Sequence, residues 1–171
     1  MRPAQKIGLL VFIVFALIGS DQTTKILAQR HLESSPPISL FGGVFRLIYA
    51  ENPGAFLSLG SGLSETTRFW LFTVIVGTFL IGLLFYTLLN PRLIPTEVFS
   101  LALVFGGGIS NLVDRVLRGH KVIDFMIVGV GEIHTGVFNV ADVAITAGVG
   151  LLFWAGLRSS RRQASQRRSF D

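Results

Sequence analysis

Two aspartates lie eighteen positions apart in a strongly hydrophobic chain, at the border of its last long apolar run. Asp124 stands in V-I-D-F and Asp142 in F-N-V-A-D. A carboxylate beside an apolar, membrane-like segment is costly to keep charged, so a pair of them indicates a functional site. Two neighbouring carboxylates at low dielectric share one proton, which supplies one acid and one base. Such a pair can activate water for attack on an amide bond.

Other polar residues recur at helical spacings beside the apolar runs. Asp21 and Lys25, in D-Q-T-T-K, are four positions apart and can form an ion pair on one helix face. The simpler interpretation is a salt bridge that ends a membrane span. Asn111 and Arg115 are also one turn apart, after three glycines that permit close helix packing. Packing explains the glycines but not the polar residues, and the arginine could orient a carboxylate or hold a substrate carbonyl or a lipid headgroup.

Asn139 and Asp142 are three positions apart in the predicted first turn of the last helix, where a negative charge is favoured. Asp142 could simply cap that helix, but a cap does not require a second carboxylate at Asp124. Asn52 and Gly54, in N-P-G-A-F, form a turn by local chemistry, because proline restricts one dihedral and glycine frees another. By itself this turn says nothing about function.

These residues must be positioned by membrane helices. Half of the 171 residues are apolar and the mean hydropathy is +0.62, which is typical of a membrane protein. The four apolar runs are Ile7 to Gly19, Phe69 to Leu89, Val98 to Val113 and Val137 to Leu157. We predict four spans, with Lys6 snorkelling at the start of the first. The first run also resembles a signal peptide, although no small residue stands where cleavage would need one.

Basic residues set the expected orientation. Eight of them lie at the two termini and in the loop between spans two and three, with only two acids, so we predict that both termini are cytoplasmic. Both aspartates then face outward. We expect residues 1–157 to form one transmembrane domain and residues 158–171 a disordered basic tail. The formal charge of +5 lies mostly in that tail, which favours lipid headgroups over nucleic acid as partner. The absence of cysteine excludes a thiol nucleophile, thiolate metal sites and disulfides.

The loop between spans one and two, about residues 22–68, is too long for a helical hairpin and needs structure of its own. Ile38 to Leu40 and Val44 to Ala50 are short β-prone runs separated by Phe41 and two glycines, which predicts a hairpin. Val122 to Val130 could add a strand to the same sheet. The segment Leu57 to Thr67 could cap a short helix that leads into span two, with Ser64 ahead of Glu65.

Taken in order, D-Q-T-T-K, N-P-G-A-F, G-G-I-S-N-L-V-D-R, V-I-D-F and F-N-V-A-D resemble the motif set of lipoprotein signal peptidases, also called signal peptidase II, over residues 21 to 142. The resemblance implies an all-α membrane fold of four transmembrane helices with a small extracytoplasmic sheet and a short surface helix. It implies an intramembrane aspartyl endopeptidase of the bacterial cytoplasmic membrane that cuts diacylglyceryl-modified prolipoproteins just before the lipidated cysteine. Asp124 and Asp142 would be the catalytic pair. The supporting positions would be Asp21, Lys25, Asn52, Gly54, Asn111, Arg115 and Asn139.

We expect the reaction to need no cofactor and no metal. We also expect a monomer, although the Gly-rich third span could serve packing within or between chains. Mild departures from the family pattern are Pro53 and Glu132, which could alter loop shape. A proton-coupled carrier is the rival from another class, but it predicts carboxylates near mid-span rather than at the ends of spans. A scaffold bundle leaves the paired aspartates and the outer sheet unexplained. A zinc protease is disfavoured because H-E-x-x-H is absent, and a serine type because all three histidines lie in predicted outer loops.

Overall fold

The computed structural model describes residues 1–55 and 59–168. Within these ranges, four helices are long and apolar enough to cross a membrane, and they comprise Pro3–Leu32, Glu65–Leu89, Pro95–Leu117 and Val140–Arg158. Each matches one predicted apolar run and extends it at one or both ends. The fold class predicted from the sequence is therefore confirmed, as is the assignment to multi-pass membrane proteins.

The helices begin where local chemistry favours a start. Helices α1 (Pro3–Leu32) and α4 (Pro95–Leu117) open with proline, whose missing N–H is not needed in a first turn. Helix α2 (Glu65–Phe69) is capped by Ser64, whose side chain accepts from the Thr67 backbone N–H at 3.2 Å. It continues through a π-helical stretch (Trp70–Ile75) into α3 (Val76–Leu89), which completes span two. The capping expected at Ser64 is confirmed, whereas residues 56–58 of the same predicted segment lie outside the described residues.

Helix α4 lies at the centre of the bundle, in contact with α1, α3 and α5 (Val140–Arg168). Its three consecutive glycines each meet a different neighbour. A Cβ on Gly106 would lie 3.3 Å from the Val14 Cα in α1, and one on Gly108 would lie 2.6 Å from the Leu80 Cδ2 in α3. A Cβ on Gly107 would lie 2.6 Å from the carbonyl oxygen of Ala141 in α5. Gly106 and Gly107 therefore allow α4 to lie close to the backbones of α1 and α5, as small residues do in membrane bundles, while Gly108 leaves room for the Leu80 side chain of α3.

Lys6 does not snorkel as predicted. Its side chain is only 5 % exposed, and its ammonium donates to the carbonyls of Thr87, Leu88 and Asn90 at 3.0, 3.3 and 2.7 Å. These carbonyls end α3 and lack partners within their own helix, so the cation caps that helix from another one. The snorkelling prediction failed because a carbonyl cluster of a neighbouring helix is invisible in the local sequence.

Both ends of the chain differ from the simplest sequence interpretation. The run that resembles a signal peptide forms the middle of α1 and packs into the bundle, with Leu10, Ile13 and Leu17 buried against α4 and α5. At the other end α5 continues as helix to Arg168. The helix thus enters the segment 158–171 that was expected to be a disordered basic tail, whose residues 169–171 lie outside the described residues.

Four antiparallel strands in the order β1-β2-β3-β4 form a sheet at one end of the bundle. They comprise β1 (Ile38–Leu40), β2 (Phe45–Asn52), β3 (Val122–Val130) and β4 (Ile133–His134). The predicted hairpin and third strand are confirmed, while the two-residue β4 was not foreseen. The register of β2 and β3 shifts between Leu47 and Ala50, and beyond this bulge Ala50 pairs with Asp124. The bulge therefore lies next to one of the two aspartates.

Candidate active site

The fold brings Asp124 and Asp142 to the two sides of one asparagine. Asn139 donates its side-chain Nδ2 to Asp124 Oδ1 at 2.6 Å, and its backbone N–H to Asp142 Oδ2 at 3.2 Å. Both carboxyl groups are buried, with 1 % of Asp124 and 6 % of Asp142 exposed. One comes from strand β3 and the other from the first turn of α5, so their meeting depends on the packing of the sheet against the bundle.

Asn139 and Asp142 form a reciprocal cap at the start of α5. The Asn139 Oδ1 accepts from the Asp142 backbone N–H at 2.9 Å, while the Asp142 carboxylate accepts from the Asn139 backbone N–H. The simple capping role considered for Asp142 is therefore real. Asp142 has a second contact besides the cap, because its Oδ1 also accepts from Asn111 Nδ2 at 3.0 Å. The cap orients the carboxylate toward α4 rather than only ending a helix.

The asparagine turn after β2 holds Asp124 from the other side. Asn52 Nδ2 donates to Asp124 Oδ2 at 2.8 Å and to the Ala55 carbonyl at 2.9 Å. Its Oδ1 accepts from the Gly54 backbone N–H at 2.8 Å, which closes an Asx turn. Both oxygens of Asp124 thus receive amide donors, one from each of two asparagines.

A buried ion cluster lies behind the aspartates. The Lys25 ammonium is fully buried, 2.7 Å from Asp21 Oδ2 and 2.8 Å from Asp114 Oδ2. It also donates to Asn111 Oδ1 at 2.9 Å. A buried charge is tolerated when it is paired and hydrogen-bonded, and here three acceptors match the three N–H donors. This cluster, which we call the lysine triad (Asp21, Lys25, Asp114), is linked directly to the aspartates through Asn111.

Asp114 is a member of this network that the sequence did not single out as a site residue. Its Oδ2 also accepts from the Ile123 backbone N–H at 3.2 Å, and its Oδ1 accepts from Gln22 Nε2 at 3.0 Å. It thereby ties the end of α4 to the start of β3, one residue before Asp124. The available signal was its place in G-G-I-S-N-L-V-D-R, one turn after Ser110 and next to Arg115.

Arg115 lies at the wall of a cavity beside Asp142. Its Nη2 donates to the Gly54 carbonyl at 2.8 Å, and its guanidinium lies 5.9 Å from the centre of the Phe72 ring. Its Nε is buried with no hydrogen-bond partner among the described residues. The cavity measures about 410 Å³, and its lining comprises Ala55, Phe72, Val76, Gly108, Asn111, Arg115, Asp142, Ile145, Thr146 and Val149.

The surroundings of Asp124 alter its acidity. The pKa of its carboxyl is raised to about 7, mainly by burial and secondly by the charge of Asp142, against the opposing donors from Asn52 and Asn139. An ordinary aspartate has a pKa near 3.8. A group with a pKa near 7 can both hold and release a proton at neutral pH, which general acid–base chemistry requires.

All nine residues that the sequence selected fall into one hydrogen-bonded network at the end of the bundle that carries the sheet. Asp21, Lys25, Asn52, Gly54, Asn111, Arg115, Asp124, Asn139 and Asp142 each bond to at least one other of the nine. Fold and site together define a multi-pass membrane protein with a pair of buried aspartates beside a cavity.

Comparisons with known proteins narrow this class to one family. The profile of the signal peptidase (SPase) II family matches residues 13–158, so the chain belongs to the signal peptidase II family of peptidases. It is 37 % identical to the lipoprotein signal peptidase of Geobacter metallireducens over 96 % of this chain and 98 % of that one. It is 33 % identical to the lipoprotein signal peptidase of Halalkalibacterium halodurans over 91 % and 96 % of the two chains. A bacterial membrane enzyme solved by the in meso method at 2.3 Å resolution superimposes with a TM-score of 0.78 at 26 % identity, covering 90 % of each chain.

Proposed function

We propose that the protein is an intramembrane aspartyl endopeptidase that removes the signal peptide from prolipoproteins. The substrate cysteine carries diacylglycerol, and the bond cleaved is the one just before it. One observation supports the aspartyl type above all others. Asp124 and Asp142 are buried, share Asn139 as a donor and lie where Asp142 borders a cavity of about 410 Å³. Membership in a signal peptidase family supports the substrate class.

In the proposed reaction the aspartate pair shares one proton. The ionised carboxylate takes a proton from water as the water oxygen attacks the scissile carbonyl, and the protonated partner donates to the carbonyl oxygen. When the tetrahedral intermediate collapses, a proton passes to the leaving amine. The pair titrates as a unit, so the proton belongs to both side chains.

Arg115 and the asparagines position the reacting groups in this scheme. The unpaired Nε–H of Arg115 is a charged donor at the cavity wall, suited to the oxygen that becomes negative during attack. Asn111 and Asn139 keep their amide donors on the carboxylates, which limits rotation of both side chains. In this scheme one cation, Arg115, and two amides, Asn111 and Asn139, surround the aspartate pair because they orient it and stabilise the negative oxygen.

The substrate would approach through the bilayer. Apolar residues of span two and of α5, including Val76, Ile145 and Val149, line the same cavity as Asn111, Arg115 and Asp142. Such a lining suits an apolar signal helix, while the diacylglyceryl chains would stay in the lipid. We propose the cytoplasmic membrane of a bacterium, both termini in the cytoplasm and the site at the outer face. The enzyme would act as a monomer, since one chain supplies both aspartates.

The decisive experiment is cleavage of a diacylglyceryl-modified prolipoprotein by purified protein in detergent. Asp124→Asn and Asp142→Asn should each lower the rate by at least about a thousandfold, because neither can complete the acid–base pair. Glu132→Gln, which changes an exposed carboxylate in the turn after β3, is the matched control and should cleave normally. Near-normal activity of either aspartate variant would refute the aspartyl mechanism. Equal cleavage of an unlipidated twin peptide would refute the lipid requirement.

A further inference from the structure

The sheet is amphipathic across its three longer strands. Paired residues on neighbouring strands point to the same face, and successive residues alternate between faces. The pairs form two rows, Ile38–Leu47–Met126 and Leu40–Phe45–Val128. We call the face that these six residues share the apolar face. The row between them, which points the other way, contains Ser39, Arg46 and Ile127.

The apolar face continues the surface of the first membrane span. A groove of about 270 Å³ joins them, and its lining comprises Thr24, Leu27, Ala28, His31 and Leu32 from α1 and Ile38, Leu47 and Phe125 from the sheet. Leu27 and its neighbour Ile26 are exposed on α1, within the segment long and apolar enough to span a bilayer. His31 is the one ionisable residue of this lining. The lining between α1 and the sheet therefore contains no carboxylate, lysine or arginine.

The far end of the sheet exposes large apolar side chains, together with the Glu132 carboxylate in the turn between Val130 and Ile133. Phe41 in the β1–β2 turn is 82 % exposed, and Ile133 at the start of β4 is 85 % exposed. The two turns lie side by side, because Gly129 donates its backbone N–H to the Val44 carbonyl at 2.9 Å. The exposed ion pair of the sheet, between Lys121 and Glu51, lies at its opposite end. We call the first region the sheet tip (Phe41, Val44, Val130 and Ile133).

We propose that the apolar face and the sheet tip are immersed in the lipid leaflet at this end of the bundle, where they contact acyl chains of membrane lipids. A sheet with one face in water normally shows polar side chains there, whereas both rows of this face are apolar. Leu47 and Met126 are half-buried against the core at the end of α1, and the exposed apolar side chains of the face are Ile38, Leu40 and Val128. Open sheet edges are not tolerated deep in hydrocarbon. The sheet therefore lies flat at the headgroup boundary, as interfacial amphipathic helices do, with its backbone edges and the Glu132 carboxylate at headgroup level.

This placement has a consequence for the site. Strand β3 contributes Met126 and Val128 to the apolar face and Asp124 to the buried network. Lipid contact along its outer half would hold the strand, and with it Asp124, at a set depth relative to the bilayer surface. Helices α1 and α5 set the depth of Asp142 independently. The membrane itself would thus help to keep the two aspartates at matching depths.

Because the chain has no cysteine, single cysteines can carry a nitroxide label at chosen positions. Leu40→Cys reports on the apolar face, and Ser39→Cys, one residue away on the opposite face, is the matched control. In liposomes of phosphatidylcholine and phosphatidylglycerol, the Leu40→Cys label should collide with dissolved oxygen severalfold more often than with a water-soluble nickel chelate. The Ser39→Cys label should show the reverse preference. Equal access of the nickel chelate to both labels would overturn the proposal.

Phe41→Cys at the sheet tip provides a second site should the Leu40→Cys variant fail to fold, and it should show the same oxygen preference. Spin–spin broadening that grows as the protein-to-lipid ratio rises would instead place a second copy of the chain on this face and overturn the lipid assignment. No substrate is present in these measurements. Their outcome is therefore independent of whether the proposed peptidase activity is found.

Discussion

At the scale of single residues, the site depends on amide groups held in one orientation. Asn111 accepts from Lys25 and Asn139 through its Oδ1, so its Nδ2 must point to Asp142. An amide rotated by half a turn would place two donors against a lysine. The positive charge of Lys25 thus determines which atom of Asn111 faces the aspartate pair, although Lys25 does not touch either member of it.

Lys25→Met should be strongly destabilising. The change leaves Asp21 and Asp114 buried without their cation, and breaking a buried ion pair costs about 3–5 kcal/mol. Thermal unfolding in detergent should show the loss, and cleavage should fall with it. Lys121→Met, which removes an exposed partner of Glu51, is the control and should change stability by less than about 1 kcal/mol. An unchanged unfolding temperature for Lys25→Met would contradict the assigned ion cluster.

The raised pKa of Asp124 predicts a pH dependence of stability. The folded protein binds a proton at Asp124 with a pKa of about 7, against 3.8 for an ordinary aspartate, so the folded state holds that proton more tightly. The stabilisation of the folded state by this proton is complete below pH 3.8, declines as pH rises and is lost above about pH 7. Each unit of pKa difference corresponds to about 1.4 kcal/mol, so the loss amounts to a few kcal/mol. Asp124→Asn should lack this decline when unfolding is measured between pH 4 and 8.

At the scale of elements, the contact between α4 and α5 sets the distance on which the site depends. Gly107 touches the backbone of Ala141, the residue before Asp142. One turn after Gly107, Asn111 donates to the Asp142 carboxylate. The close approach of the two helices therefore allows a short asparagine side chain to reach the aspartate. Lys6 secures the opposite end of the bundle by capping α3 from α1.

Gly107→Ala should separate α4 from α5. The added Cβ would lie 2.6 Å from the Ala141 carbonyl oxygen and 2.8 Å from Ile145 Cγ1, so backbone must move. Overpacking of this kind costs about 1–3 kcal/mol of stability. The shift at Asp142 should in addition lower the cleavage rate at temperatures where the variant is still folded. Gly82→Ala is the matched control, because nothing lies within 4 Å of its Cβ. That variant should be neutral or stabilised by about 0.5–1 kcal/mol. Equal effects of the two changes would contradict the role given to Gly107.

At the scale of the whole molecule, the network is closed by the docking of the sheet on the bundle. Phe125 of β3 is buried against Ala28 and Leu32 at the end of α1, while Asp114 holds the start of β3 to α4. These contacts place Asp124 beside the first turn of α5. Loss of the sheet contacts would leave the four helices and only one of the two aspartates in place.

Orientation in the membrane can be tested on the whole chain. Basic residues at the two termini and in the α3–α4 loop predict that both ends lie in the cytoplasm. A C-terminal fusion to a fluorescent protein that folds only in the cytoplasm should be bright, and a fusion to an alkaline phosphatase that is active only outside should be inactive. The reverse pattern would place the aspartates on the inner face. As a control, the phosphatase inserted after Glu132, in the β3–β4 turn, should be active.

The sequence by itself determined what depends on neighbours along the chain. Span lengths follow from apolar runs, the hairpin from a glycine pair between β-prone runs, and the pairing of Asp21 with Lys25 from helical spacing. Ordered motifs also predicted the family, which is confirmed, and selected the nine candidate site residues. Catalytic roles for Asp124 and Asp142 remain a prediction that the cleavage experiment tests.

Only the tertiary structure decided how these pieces meet. It placed Asp114 on Lys25, joined Asp124 to Asp142 through Asn139, added β4 and turned Lys6 inward to cap α3. Each of these contacts joins groups whose proximity comes from packing rather than from chain order. Burial makes these contacts necessary for stability, because a polar group removed from water costs free energy unless it has a hydrogen-bond partner.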